Sequence, residues 1–294
     1  DAIYKDYYNP QTDIIEDAAL FQKLESASGW SDNELVLDGN KYRRMKQEDA
    51  ICSSSNLAST VFYRWEDSTS WHYFRYEPIK WRVLSTAGGQ AFLQSDLALD
   101  DQKYNNNYKD VTWESSTMRS WLNGYGPEKN ELNMDYGSDS FLQDAFTSAQ
   151  RQAIYATEVE NTDNLEYGTE GGNHTADKIF LLSDQEVYGT KAVPYGFAGT
   201  YSTHDEARRR KSSTYAKAKG VWSQYGDAGY DGNCGWWLRT PGVHTKYSMW
   251  VYDYGYVVRY GDNVGNTVRA VCPALNLNLS SSDLWSYAGT VCSD

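Results

Sequence analysis

The sequence predicts a single α+β domain, and three observations carry that reading. Short stretches rich in Tyr, Trp, Val and Phe, with the alternation of strands, are interspersed with a few helical spacings of apolar residues. Turns rich in Gly, Asn and Ser separate them at short intervals. No long linker, block of like charge or internal repeat divides the 294 residues, a length that supports one large domain with a sizeable core. The expected unit is 1–294, with 1–70 as an N-terminal subregion and 234–279 as the binding segment and core strands.

Taken in order, Ile14, Ala18, Phe21 and Leu24 share a helical spacing that stops at Gly29, so residues 13–28 read as a helix. Leu35–Leu37 and Lys41–Met45 read as strands turned by Asp38-Gly39-Asn40. Cys52–Ser59 is a Ser-rich loop. Trp71–Leu84 reads as two strands bent at Pro78, and Gly88-Gly89 turns into a third at Ala91–Ser95. An Asn-rich loop at 105–107 leads to a short helix over Ser115–Leu122, ended by Asn123-Gly124. Phe141, Leu142, Ala145, Phe146, Ala149 and Ile154 predict a longer helix over Ser140–Tyr155. Lys178–Leu182 is a buried strand, and Ser183 caps a short helix through Glu186. Residues 189–203 form an irregular Gly/Tyr-rich loop, and Ala207–Lys219 is helical up to Gly220. The alternation in Ala274–Leu279 marks a half-buried strand.

Composition restricts the partners. The chain carries 25 Tyr and 11 Trp, so much of its apolar content is amphipathic and suits a loop-rich fold rather than a Leu/Val/Ile bundle. A formal net charge of −13 argues against nucleic acid and against an anionic membrane surface. The basic run Arg208–Lys211 follows Asp205 and Glu206 and reads as a solvated helix face. No run of about 18 apolar residues is present, so no membrane span is expected. Cys52, Cys234, Cys272 and Cys292 lack CxxC spacing, which disfavours zinc and leaves open either a Cys234–Cys272 disulfide or free buried thiols.

The segment from Cys234 to Leu275 has a different texture. Val251, Gly255, Val257, Gly261 and Val264 form a sparse frame of apolar residues and turn glycines. Between them stand large amphipathic side chains, the composition of a recognition surface. The candidate ligand contacts are His244, Lys246, Tyr247, Met249, Trp250, Tyr252, Tyr254, Tyr256, Arg259, Tyr260, Asp262, Asn263 and Asn266. Trp236, Trp237 and Arg239 are expected as supports, with Arg239 bonding loop carbonyls or a carboxylate. The bland alternative is a half-buried hairpin whose rings pack on cross-strand neighbours.

Five pieces occur in a telling order: Tyr76–Leu84, Met118–Asn123, Lys178–Ser183, Trp236–Gly242 and Ala270–Leu275, with Asn9–Thr12 near the start. This succession resembles bacterial domains of the C-type-lectin fold on the branch of formylglycine-generating enzymes. The interleaving of frame and diverse residues resembles the variable target proteins of diversity-generating retroelements, in which surface residues near the C-terminus are randomised on a fixed scaffold. The resemblance implies a C-type-lectin-like fold, a non-catalytic receptor or adhesion role, and a protein or glycan ligand. It implies an extracellular, cell-surface or phage-particle location, with any signal or anchor outside these residues. Relatives often carry Arg where this chain has Cys272, and the calcium-holding triplets of sugar-binding C-type lectins are missing.

Catalysis is not expected. The alternative is an oxidase using Cys234 and Cys272 as a cysteine pair, but no cation adjoins Cys234 in sequence to activate it. A structural surface or adhesion module is a third reading. The four histidines, His72, His174, His204 and His244, show no metal-ligand spacing. No cofactor is expected beyond a conceivable loop calcium at Asp227 and Asp231.

Overall fold

The computed structural model describes residues 17–52, 61–65 and 67–289. Residues 13–16 of the expected 13–28 helix, the loop after Cys52 and Cys292 lie outside the described residues. Helix α1 (Ala18–Ser26) starts where the Asp17 carboxylate accepts the Leu20 N–H at 2.9 Å. Strands β1 (Glu34–Leu37) and β2 (Asn40–Met45) meet at the predicted turn, where Asp38 and Gly39 take φ of +50° and +80°. β3 (His72–Arg75) completes this antiparallel sheet. β4 (Trp81–Ala87) and β5 (Gln90–Ser95) form the next hairpin through Gly88-Gly89, and a short β6 (Asp100–Asp101) follows.

Helix α2 (Thr117–Asn123) is capped by Ser116 and closed by Gly124 in the left-handed conformation. The single helix expected over 140–155 is two, α3 (Phe141–Ala145) and α4 (Ser148–Ala153). Phe146 is extended between them, and Thr147 with Gln150 builds a capping box that restarts the helix. β7 (Thr157–Val159) pairs with β8 (Thr175–Asp177), and α5 (Asp184–Val187) begins at the predicted Ser183–Glu186 box. α6 (Thr214–Lys219) is followed by β9 (Trp236–Pro241), β10 (Tyr247–Val251), β11 (Val257–Asn263), β12 (Ala270–Val271) and β13 (Ala274–Asn278).

Two expectations fail for one reason. The buried run Ile179–Leu182 makes only a single bridge, Phe180 to Ala274, in place of a strand ladder. Side chains satisfy its backbone instead: Asn123 bonds both the N–H and the carbonyl of Ile179, and Arg239 donates to the carbonyl of Leu181. The helix expected over 207–219 exists only from Thr214, because the basic run before it is drawn inside. Arg208 and Arg210 are 0% and 1% exposed, not a solvated face. Arg208 donates to the carbonyls of Val187, Thr200 and Thr203, and Arg210 to those of Ser95, Ala207 and Arg209. Irregular loops leave carbonyls without ladder partners, and a guanidinium with five donors serves several at once.

The fold is α+β, with small, mostly antiparallel sheets, six short α-helices among the described residues and extensive loops. The largest sheet has the order β11-β10-β9-β12-β6, with β9 and β12 parallel and β11 at an edge. One core joins this sheet to the β13-β5-β4 sheet through Phe92, Leu93, Trp236, Trp237, Leu238 and Leu275. The N-terminal sheet reaches Arg75, beyond the expected boundary at 70, and has its own small core of Leu24, Tyr42 and Tyr73. It docks on the main body where Met45, Tyr63, Trp65 and Phe74 meet Ala218, and where Arg43 bonds Asp144 and Tyr215. No helix among the described residues is long and apolar enough to cross a membrane.

His72 reports on this docked sheet. It is 1% exposed, beside the Tyr63 hydroxyl at 2.7 Å, and burial pushes its imidazole down to about 4 from 6.5. The unfolded chain then binds more protons between these values, so stability falls as pH drops from 6.5 through 4. Equilibrium urea unfolding of His72→Gln against the wild type should show the wild type losing up to about 3 kcal/mol relative to the variant over that interval. A constant difference would assign the buried imidazole no part in acid sensitivity.

Candidate ligand-recognition face

The supports come first. β9 lies inside the large sheet, and Trp236, Trp237 and Leu238 are all 0% exposed. The indole N–H of Trp236 donates to the Arg208 carbonyl and that of Trp237 to the Gln102 carbonyl, each at 3.0 Å. Arg239 donates to the carbonyls of Glu160 and Leu181 and to the Glu186 carboxylate. A second hub is Asn164, 2% exposed, whose amide donates to the carbonyls of Pro241 and Arg259 at 2.9 and 3.1 Å. Its oxygen accepts the N–H groups of Glu166 and Tyr167. These bonds fix the 160–170 loop against β9 and β11.

Irregular pairing decides which side chains reach the surface. From Ser248 to Trp250, β10 advances two residues while β9 goes from Pro241 to Trp237 and β11 from Asp262 to Val258. Both neighbours therefore bulge around β10. Met249 and Trp250 turn into the core, 0% and 5% exposed, and leave the expected contact set. Arg269 covers the outer side of the Trp250 ring at 3.6 Å. The frame residues Val251, Val257 and Val264 are buried, while Gly255 and Gly261 take φ of +90° and +82°. At Gly255 a Cβ would stand 2.1 Å from the Asp205 carbonyl oxygen, so only glycine lets the hairpin turn meet that loop.

The remaining expected contacts separate along β11, a seven-residue edge strand of about 20 Å. At one end His244 and Lys246 line an open cleft of about 530 Å³ with Tyr108, Asp110 and Thr169. Thr245 donates to Asp110 at 2.6 Å, and Tyr247 meets Tyr108 edge-on with centroids 6.3 Å apart. In the middle Tyr260 is 58% exposed, and Arg259 lies 3.4 Å over the Tyr201 ring while pairing with Glu166 at 2.6 Å. At the turn, Tyr252 stacks on Tyr254 and Tyr256, and His204 stacks on the same two rings, closing a circuit of four near-parallel rings. Tyr230 meets Tyr254 edge-on.

Hydrogen bonds join the three parts. The Thr169 hydroxyl donates to the Val243 carbonyl, the Val243 N–H to that of Tyr260, and the Val257 N–H to that of Tyr201. Asp262, Asn263 and Asn266 contribute less than expected, because they bond within their own turn. Asp262 accepts from Arg269, Asn266 and the Asn263 N–H, and Asn263 and Asn266 accept the N–H groups of Gly265 and Val268. Sequence reasoning missed Tyr108, Asp110, Tyr201, His204 and Tyr230. All lie in polar or Gly/Tyr-rich loops, where side-chain direction follows from tertiary packing.

Burial raises the phenols of Tyr252, Tyr254 and Tyr256, which stay protonated. Burial also lifts Asp253, beneath the rings, to about 6. Cys234 and Cys272 are free thiols, both 0% exposed, with burial pushing Cys234 well up and Cys272 to about 12. Among the described residues no group of three or more His, Cys, Asp or Glu is placed to hold a metal ion. Asp227 instead accepts the Tyr254 hydroxyl at 3.2 Å, and Asp231 accepts the Gly226 N–H at 2.9 Å.

Gly255→Ala tests the turn. It is expected to cost about 2–4 kcal/mol, combining positive-φ strain with the clash on Asp205. Gly39→Ala, at φ +80° with open space around it, should cost only the strain, about 1 kcal/mol. Denaturant unfolding of the two variants compares them, and equal losses would deny the close approach.

No characterised protein and no solved structure matches the chain. A family profile does match, over residues 88–279, from the β4–β5 turn past the end of β13. The N-terminal sheet lies outside that span and the whole candidate face within it. The chain belongs to the family described as a domain of unknown function, DUF6273.

Proposed function

We propose that the domain is a non-catalytic recognition module, a receptor or adhesion domain with a C-type-lectin-like scaffold, working outside the cell, at its surface or on a phage particle. One observation carries the reading. From Val251 to Val257 buried residues alternate with the half-exposed rings of Tyr252, Tyr254 and Tyr256, and with Arg259 and Tyr260 on β11 and His244 and Lys246 beyond it these make a band of rings and cations at the surface. A hairpin that only packed its rings inward has no need for Tyr260, His244 and His204 to face solvent. The frame also suits a diversified protein, because a retroelement could change the band without touching the glycines and valines that shape it. The order of the five sequence pieces supports the lectin-like scaffold.

The oxidase alternative is the weaker reading. Both thiols are buried, their pKa values are raised, and the Cys234 thiol donates to the Arg210 carbonyl at 3.4 Å. A nucleophilic thiolate requires the opposite environment.

Sequencing the gene from many members of one population tests the proposal. Substitutions are expected to gather at His244, Lys246, Tyr247, Tyr252, Tyr254, Tyr256, Arg259 and Tyr260, with Met249, Trp250 and the five frame positions constant. Substitutions spread equally over buried and exposed positions would contradict a diversified recognition face.

A further inference from the structure

We propose that the band along β11 docks a positively charged protein segment, with arginine or lysine side chains lying on the Tyr252, Tyr254 and Tyr256 rings. The inference rests on the recognition reading and names the partner's chemistry. The molecule already seats three guanidiniums on rings of this region: Arg259 on Tyr201 at 3.4 Å, Arg269 on Trp250 at 3.6 Å and Arg209 on Tyr230 at 4.5 Å. Each shows a ring face here accepting a cation. Among the described residues, the rings of Tyr252, Tyr254 and Tyr256 carry no such cation.

The charges around the band point the same way. Its cations are largely matched by neighbours: Arg259 with Glu166, Arg269 with Asp262, Lys246 with Asp110 and Arg208 with Asp205. At the ring circuit, Asp227 bonds the Tyr254 hydroxyl, and Glu206 is exposed beside the Asp205 carbonyl that abuts Gly255. Among the described residues neither carboxylate forms an ion pair. Against these two carboxylates stands the Arg209 guanidinium, which donates to the Tyr254 and His204 carbonyls, so the balance beside the half-exposed rings is negative by one, and the net charge of −13 steers a basic partner toward it. A band of about 20 Å accepts roughly six residues of extended chain.

The test uses the intact protein and a fluorescein-labelled peptide of alternating arginine and glycine, read by anisotropy. A glutamate–glycine peptide and a neutral oligosaccharide, cellohexaose, serve as comparisons, the latter by calorimetry. Tyr254→Leu and Tyr256→Leu keep the net charge, so a weakening of roughly fivefold in each is assigned to the rings. Tyr254→Phe keeps the ring and is expected to bind within about twofold of wild type, which holds the test open if a leucine variant fails to fold. Asp227→Asn should weaken the arginine peptide more than Glu48→Gln, an equal charge change at an exposed carboxylate of the N-terminal subregion. Three results overturn the proposal: leucine variants that bind like wild type, equal losses in Asp227→Asn and Glu48→Gln, or ring-dependent binding of cellohexaose without ring-dependent binding of the arginine peptide. Each removes the cationic partner alone, since the recognition reading is judged separately on population variation.

Discussion

The structure depends on satisfying buried carbonyl groups that belong to no ladder. Short strands and long loops leave many such oxygens inside the molecule, where an unpaired one is costly. Arg208, Arg210 and Arg239, together with Asn123 and Asn164, bond at least nine different carbonyls among them. Guanidinium and amide groups take the place of β-ladders, and this allows loops to stand in fixed positions around a modest sheet. The three arginines are 0–4% exposed, so these cations of an acidic chain serve the interior and not its surface.

That arrangement holds the proposed recognition face in place by hydrogen bonds within the chain. Asn164 ties one loop to β9 and β11, Arg208 holds the 187–203 loop, and Gly255 lets the hairpin turn seat against Asp205. The ring circuit at the turn then draws on two loops and a hairpin, through His204, Tyr230 and Tyr252–Tyr256. Ordering a surface in advance lowers the entropy lost on binding. The proposed replaceable side chains make few of these bonds to backbone carbonyls.

Much of this was legible in the sequence, and the limits are physical. The β1–β2 and β4–β5 turns, the Gly124 stop, the Ser183 box and the valine–glycine frame follow from local chemistry, and all appear where expected. Met249 and Trp250 were misplaced because the bulges in β9 and β11 break the alternation that assigns faces. Arg208 and Arg210 were misplaced because a basic run shows its charge but not the carbonyls awaiting it. Tyr108, Tyr201 and His204 could not be attached to the 244–260 segment, because only tertiary pairing brings those distant loops to β11.

The central claim is that a fixed frame carries a replaceable surface, and a stability scan of every substitution from 243 to 267 tests it most directly. Display of the library, sorted by resistance to protease, reads folding without requiring a ligand. The account predicts broad tolerance at His244, Lys246, Tyr254, Tyr256 and Tyr260, against intolerance at Met249, Trp250, Val251, Gly255, Val257, Gly261 and Val264. Uniform intolerance across both groups would show the rings to be core packing, and the face would lose its claim to recognition.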